Sequence, residues 1–224
     1  TFSSRGLGDV YKRQINTLLE SKEEEFWNTT THFIGLIFSL IGLPILLYYN
    51  QDLTEFSLIS ILFFEFGMIC VYTASTLYHY ATDLKLKKKL RIFDHISIFY
   101  LVAGSYAPVC LITLYNGSGL KIFISVFTIA ILGTIFKIFF TGKYEKFSLF
   151  LYLAMGWLIV LDFNSILSLL SFNGLMLLLI SGGFYSFGTI FYSLQKMKYS
   201  HAIWHLFVMA GSASHYFLVL LYVV

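Results

Sequence analysis

Charged residues, proline and cysteine are all scarce in this chain. Only 12% of its 224 residues are charged and only two are proline, whereas 58% are hydrophobic. With a mean hydropathy of +0.76, this composition excludes the soluble globular class and predicts an integral membrane protein. Both cysteines, Cys70 and Cys110, lie inside apolar runs, so buried thiols are expected rather than a disulfide framework. The few basic residues form no stripe that would bind nucleic acid, so no nucleic-acid partner is expected.

The sequence divides into three segments of different composition. Residues 1–14 resemble translated sequencing-adaptor sequence and contain no apolar core of a signal peptide, so we expect a non-native leader that takes no part in the fold. Residues 15–30 are polar and rich in glutamate, and they are expected to form a short surface helix before the first membrane span. Residues 31–224 form the predicted membrane domain, with no internal repeat.

Seven apolar runs make up the membrane domain, each near the roughly 20 residues that a helix needs to cross a bilayer. They cover residues 31–49, 56–80, 92–113, 121–141, 147–163, 174–193 and 201–224. The sequence therefore predicts an all-α, multi-pass protein of the cell membrane, a bundle of seven transmembrane helices. The fifth run is the shortest of the seven, and it is bounded by Lys146 on one side and by Asp162 and Asn164 on the other.

Basic residues alternate between the connections of these runs. The connections after the second, fourth and sixth runs hold most of them: Lys85, Lys87, Lys88, Lys89, Arg91, Lys143, Lys146, Lys196 and Lys198. The remaining connections are mainly acidic or uncharged. Because basic loops stay in the cytoplasm, the pattern predicts a cytoplasmic N-terminus and an extracytoplasmic C-terminus.

Two histidines open the seventh run. His201 and His205 are four residues apart, so they lie on one helix face about 6 Å apart along the axis, a spacing that suits two ligands of one metal ion. Two imidazoles at a membrane interface would also fit this motif. The depth of other polar residues in the bundle is needed to choose between the two interpretations.

Two further polar residues are predicted to lie at the same depth as this pair. His79 ends the second run and Asp94 opens the third, so both lie within about 10 Å of the cytoplasmic boundary, as His201 does. We therefore predict a zinc site near the cytoplasmic face, with His79, His201 and His205 as ligands and a fourth position for water. Asp94 would bond that water and act as general base, and Ser75 lies one turn deeper than His79. Alternatively, Asp94 caps the N-terminus of a helix.

The other ionisable residues of the runs receive separate predictions. His95 is rotated by about 100° from Asp94 on a helix and is expected at the membrane interface, while His32 is a candidate partner of a ligand. Glu65 and His215 each lie 14 residues from a proposed ligand, at matching depth, and are predicted to contact each other directly or through one water. The alternative is a protonated Glu65 and a His215 bonded to a backbone carbonyl.

Four segments of the chain resemble the signature segments of the hemolysin III family. They are Glu24–His32 (EEFWNTTTH), Ser75–His79 (STLYH), Asp94–Pro108 (DHISIFYLVAGSYAP) and His201–Val208 (HAIWHLFV). The resemblance covers about residues 20–224, and it implies a relation to progestin and adipoQ receptors and, more distantly, to alkaline ceramidases. It also implies a seven-helix bundle whose zinc is held by the same three histidines, with the aspartate of the third run near the metal-bound water.

Three functions are compatible with these residues. The first is a zinc-dependent hydrolase of a membrane lipid, for which the residues indicate the hydrolytic zinc and the resemblance implies a ceramide-like amide. Asp94 would take a proton from water and Ser75 would hydrogen-bond the developing oxyanion. The second is the pore-forming or cytolytic protein of the family name, although the runs contain no polar stripe typical of a conduction path. The third is a membrane sensor with a structural zinc, against which the open fourth position argues.

Overall fold

Seven long apolar helices form the described part of the chain. The computed structural model describes residues 21–194 and 196–224, and these contain seven helices long and apolar enough to cross a membrane. Their bounds are Lys22–Tyr49 (α1), Ser57–Tyr80 (α2), Leu84–Thr113 (α3), Gly119–Phe140 (α4), Glu145–Leu169 (α5), Phe172–Ser193 (α6) and Ser200–Tyr222 (α7). The predicted seven-helix fold is confirmed, and each apolar run corresponds to one helix. The predicted leader, residues 1–14, lies outside the described residues.

The acidic lead-in belongs to α1 rather than to a separate helix where the structure describes it. The Ser21 hydroxyl accepts a hydrogen bond from the backbone N–H of Glu24, and the Glu24 carboxylate accepts one from the N–H of Ser21, each at 3.2 Å. This capping box starts the helix at Lys22. Glutamates in the first turn stabilise the helix further, because their negative charge lies at the positive end of the helix dipole. The helix then continues unbroken to Tyr49, so Glu25 is held on the same rigid element as the first membrane span.

The backbones of α2 and α3 touch at two glycines. A β-carbon added at Gly67 would lie 2.5 Å from the carbonyl oxygen of Tyr100, and one at Gly104 would lie 2.9 Å from that of Phe63. Both distances are shorter than a van der Waals contact, so larger residues would force the two helices apart. The three-residue link between α2 and α3 makes them antiparallel neighbours. The glycine contact therefore fixes the depth at which the end of α2 faces the start of α3.

The fifth helix is interrupted near its middle, which its apolar run did not indicate. It consists of an α-helix at Glu145–Gly156, a 3₁₀ turn at Leu158–Asp162 and a second α-helix at Phe163–Leu169. The hydroxyl of Tyr106 in α3 donates to the carbonyl of Gly156 at 2.8 Å and accepts from the N–H of Ile159 at 3.0 Å. These bonds satisfy backbone groups that the interruption leaves free inside the membrane.

Candidate metal centre

Three histidines from α2 and α7 converge near one end of the bundle. One ring nitrogen each of His79, His201 and His205 lies within 4.8 Å of the other two. The Nε2 atoms of His79 and His201 are 3.2 Å apart. His79 and His205 are buried, the latter only 1% exposed. The structure thus brings together the three residues that the sequence predicted as ligands.

The geometry of these rings suits zinc. Two nitrogen ligands of a tetrahedral zinc ion, each bound at about 2.0–2.1 Å, lie roughly 3.3 Å apart. The 3.2 Å separation of the His79 and His201 nitrogens is close to this value. Imidazole nitrogen is also a preferred donor for zinc in proteins. The residues present therefore fit a zinc ion, with His79, His201 and His205 as its protein ligands.

The second ring nitrogen of two of these histidines is held by a neighbour. Nδ1 of His79 lies 2.7 Å from the Glu25 carboxylate, and Nδ1 of His205 lies 3.1 Å from the backbone carbonyl of Asn28 and 3.1 Å from the hydroxyl of Thr31. A proton on each Nδ1 satisfies these acceptors and leaves the Nε2 lone pair for a metal. All three partners belong to α1, so the first helix orients histidines that lie on two other helices.

Glu25 is the part of this centre that the sequence prediction missed. Its second carboxylate oxygen lies 2.8 Å from Nζ of Lys87, a buried lysine that also donates to the backbone carbonyls at the end of α2. Glu25, Asn28 and His32 recur at helical spacing on one face of α1. That spacing was the available signal, because three residues of different type on one face of a membrane helix indicate a polar contact rather than a solvated lead-in.

The Glu25 contact leads to a testable expectation for metal affinity. We expect Glu25→Gln to weaken zinc binding by about 10- to 100-fold, because a carboxylate that holds a ligand histidine raises its basicity and fixes its orientation. Competition between the purified protein and a chromophoric chelator measures this affinity. Glu23→Gln is the matched control, since the Glu23 side chain is 62% exposed in a surface ion pair. Equal affinities in the two variants would contradict the assigned role.

Asp94 and Ser75 line the same cavity as His201 and His205. The alternative role of Asp94 as a helix cap is wrong, because α3 begins at Leu84 and Asp83 caps it by accepting from the N–H of Leu86 at 2.8 Å. Ser75 is 1% exposed, and its hydroxyl has no hydrogen-bond partner within the described residues. A buried carboxylate and an unpartnered hydroxyl thus face the cavity that two of the three ligands line.

His32 contacts the centre through its ring face. It is buried and stacks on His205 with ring centroids 3.5 Å apart and an interplanar angle of 13°. Within the described part of the chain, neither of its ring nitrogens has a hydrogen-bond partner. The expected association of His32 with a ligand is therefore present, but it restricts the ring of His205 by stacking and not by a hydrogen bond.

One further prediction about a histidine is wrong, and the direct form of another is not found. His95 is buried rather than interfacial, and its ring lies 3.3 Å from the Asp94 carboxylate and 3.8 Å from that of Glu145. His215 does not hydrogen-bond Glu65: its Nε2 lies 2.8 Å from the Ser105 carbonyl, which is the alternative interpretation. The reason is lateral placement, since α3 supplies the acceptor for His215 while Glu65 points toward Gly42 of α1.

A cavity of about 280 Å³ leads away from the histidines, mainly between α3, α5, α6 and α7. Its walls are largely apolar and include Val102, Leu153, Leu178 and Val208. His215 lines it at the far end, and the 14 residues between His201 and His215 correspond to about 21 Å along α7. The cavity thus joins a polar, histidine-rich end to a long apolar interior.

Comparisons with known proteins show similarity along most of the chain. Residues 20–216 match the family model described as Haemolysin-III related. The chain is 39% identical to the Hemolysin-3 homolog of Bacillus subtilis (strain 168) over 203 residues, which cover 90% of this chain and 95% of the relative. It is 40% identical to Hemolysin-3 of Bacillus cereus over 211 residues, covering 94% and 96%. It is also 27% identical to the human Monocyte to macrophage differentiation factor over 199 residues, covering 85% and 80%. The resemblance seen in the four sequence segments is confirmed.

Proposed function

The chain belongs to the haemolysin-III related family, and we propose that it is a zinc-dependent hydrolase of a membrane lipid amide such as a ceramide-like molecule. One observation carries this proposal: three convergent histidines lie beside a buried carboxylate and an unpartnered hydroxyl at the polar end of an apolar cavity. A carboxylate, a hydroxyl and a metal with an open position are the groups that metal-assisted hydrolysis requires.

The residues of the site have separate tasks in such a reaction. His79, His201 and His205 would hold the ion, and zinc, when bound, supplies Lewis acidity at neutral pH. Asp94 accepts the proton that an attacking water loses, and it later gives that proton to the leaving amine. Ser75 donates a hydrogen bond to the amide oxygen as negative charge develops there. Glu25 holds His79 in the orientation that exposes its Nε2.

The cavity supports a lipid as the substrate. Its apolar walls would accept an acyl chain, whereas the polar groups at its histidine end would face the amide of the same molecule. A water-soluble substrate would leave these walls without a partner. The position of the histidines near the ends of α2 and α7 also suits an amide group, which in a lipid lies close to the membrane surface.

The basic connection that follows His79 supports a position of the histidines near the cytoplasmic face. We expect a cysteine placed at Lys85 to resist an impermeant thiol reagent in intact cells, and a cysteine placed at Gln51 to react, because basic loops remain in the cytoplasm. Both positions are exposed, and replacing Cys70 and Cys110 by alanine removes the native thiols. Labelling after permeabilisation is the control for reactivity at Lys85. The reverse pattern in intact cells would place the histidines at the outer face.

A cytolytic activity is the second candidate, and the names of the two Bacillus relatives favour it. Vesicles that contain a ceramide-type lipid and an entrapped dye separate the two functions in one experiment. The hydrolase releases fatty acid without dye leakage, loses this activity when a chelator removes zinc, and recovers it when zinc is returned. Dye leakage without fatty-acid release would instead support a pore. Protein-free vesicles give the background for both signals.

A further inference from the structure

A second buried polar cluster joins α3, α4 and α5 beside the metal centre. Nζ of Lys137 lies 2.6 Å from Oε2 of Glu145, and the same oxygen lies 3.8 Å from Nε2 of His95. Nδ1 of His95 lies 3.3 Å from Oδ2 of Asp94. A polar relay of ammonium, carboxylate, imidazole and carboxylate, formed by Lys137, Glu145, His95 and Asp94, thus leads from α4 to Asp94, the proposed general base.

A contribution to stability alone does not account for this polar relay. Lys137 is 0% exposed although it lies in a membrane span, where an ionisable side chain is expensive and is usually functional. A buried ion pair seldom stabilises a fold more than apolar residues of similar size would. Neither α4 nor α5 contributes a histidine to the metal centre. Another role for Lys137 and Glu145 is therefore needed.

Further hydrogen bonds hold the residues of the polar relay in place. Glu145 is the first residue of α5, and its Oε1 accepts a hydrogen bond from the backbone N–H of Gly142 at 2.7 Å. His95 is fixed through its Nδ1, which lies 2.8 Å from the carbonyl of Arg91. Its own carbonyl accepts a bond from the Tyr152 hydroxyl of α5 at 2.8 Å. The ring of His95 is thus held at Nδ1 by the Arg91 carbonyl, and its backbone is held against α5 by Tyr152.

We infer that Lys137 and Glu145 act through His95 as positioning residues that set the direction of the Asp94 carboxylate at the histidine cluster. The inference rests on the proposed function, since it gives Asp94 the role of general base. Lys137 binds Glu145, whose carboxylate lies 3.8 Å from Nε2 of His95 as an electrostatic partner. Nδ1 of His95 donates to the Arg91 carbonyl at 2.8 Å and also lies 3.3 Å from Oδ2 of Asp94, so the held ring limits where that carboxylate can lie. In this way α4 and α5, which contribute no histidine to the cluster, influence the orientation of Asp94. A general base must be held within hydrogen-bond reach of the proton that it accepts.

Cobalt-loaded protein tests the positioning role of the polar relay without depending on hydrolysis. Cobalt(II) in a site of nitrogen ligands has visible absorption bands that respond to the groups around the ion. We expect Glu145→Gln and Lys137→Met to keep the wild-type cobalt content but to shift these bands in the same direction as Asp94→Asn does. With a lipid amide substrate, the same two variants should lower kcat by about 10- to 100-fold and leave KM unchanged.

Control variants separate positioning from a general effect on the fold. Lys146→Met makes the same chemical change at an exposed neighbour of Glu145 and should leave the spectrum and kcat unchanged. Lys137→Arg keeps the positive charge and should restore most of the wild-type spectrum. Each variant is required to elute as a single peak in size-exclusion chromatography. If Lys137→Met fails this requirement, Glu145→Gln decides the question.

The outcomes distinguish this inference from the proposed function. Bands that stay unchanged in Glu145→Gln and in folded Lys137→Met, while Asp94→Asn shifts them, overturn the positioning role and leave the hydrolase proposal standing. Cobalt binding with the expected shifts, but without hydrolysis by the wild type, overturns the hydrolase and supports the positioning role. A wild-type protein that binds no cobalt overturns both.

Discussion

Replacing His205 by alanine is expected to reduce the zinc content of the purified protein from about one equivalent to less than about a tenth, because the two remaining histidines leave half of a tetrahedral site without a protein ligand. His205 is also the histidine of the cluster for which α1 provides the most contacts, through the carbonyl of Asn28, the hydroxyl of Thr31 and the stacked ring of His32. Metal analysis of protein purified in detergent without chelators measures the effect.

His215→Ala is the matched control for this experiment. It removes a buried imidazole from the same helix, but His215 does not belong to the histidine cluster. The control variant should keep about one equivalent of zinc. A wild-type protein with less than about a tenth of an equivalent would overturn the metal site itself, and zinc retained by His205→Ala would exclude this residue as a ligand.

Asp94→Asn is expected to keep the zinc and to lower kcat for a lipid amide by about 10²- to 10⁴-fold. Asparagine has nearly the same shape as aspartate, but its amide cannot accept the proton that the attacking water loses. Fatty-acid release from vesicles measures kcat, and metal analysis of the same preparation shows whether the ion is present. Asp52→Asn makes the same change in the exposed connection between α1 and α2 and should have no effect.

Each possible failure of this second experiment has its own meaning. Loss of zinc from Asp94→Asn would assign the carboxylate to the metal as a direct ligand. Full activity with zinc present would remove Asp94 from the reaction and leave the proton to another group. Only retained metal together with low kcat agrees with a general base.

Most of the architecture was predictable because the bilayer constrains it strongly. A helix that crosses the hydrocarbon core needs about 20 apolar residues, so the number and rough position of the spans follow from hydropathy alone. The three histidines were predictable for a related reason. His79 and His201 lie next to charged connections, which fixes their depth, and the four-residue spacing places His205 on the same helix face as His201.

The partners of these residues were not predictable, because depth is only one of three coordinates. Glu65 and His215 match in depth, yet they face different neighbours, α1 and α3 respectively. His95 was placed at the interface from its rotation relative to Asp94, but Glu145 of α5 provides a partner inside the bundle. The lateral order of helices decides such contacts, and no local pattern in the sequence records that order.

Glu25 shows a different limit. Four glutamates precede the first apolar run, and a run of like charges ordinarily indicates a solvated segment. The capping box at Ser21 instead extends α1 through this segment, so that one of the glutamates turns inward to His79. The contact arises from the combination of helix start and helix face, and neither of these is visible from charge alone.

The distribution of the histidines along the chain also bears on how the protein matures. His79 and His201 are separated by 122 residues, and His201 and His205 lie on α7, the last helix described. A membrane protein is synthesised and inserted from its N-terminus, so the paired α2 and α3 enter the bilayer while two of the three histidines are still unmade. Capture of the proposed zinc would then have to follow insertion of α7, and the bound ion would close a loop that encloses four complete helices. Metal content would thus report how many chains have completed their assembly.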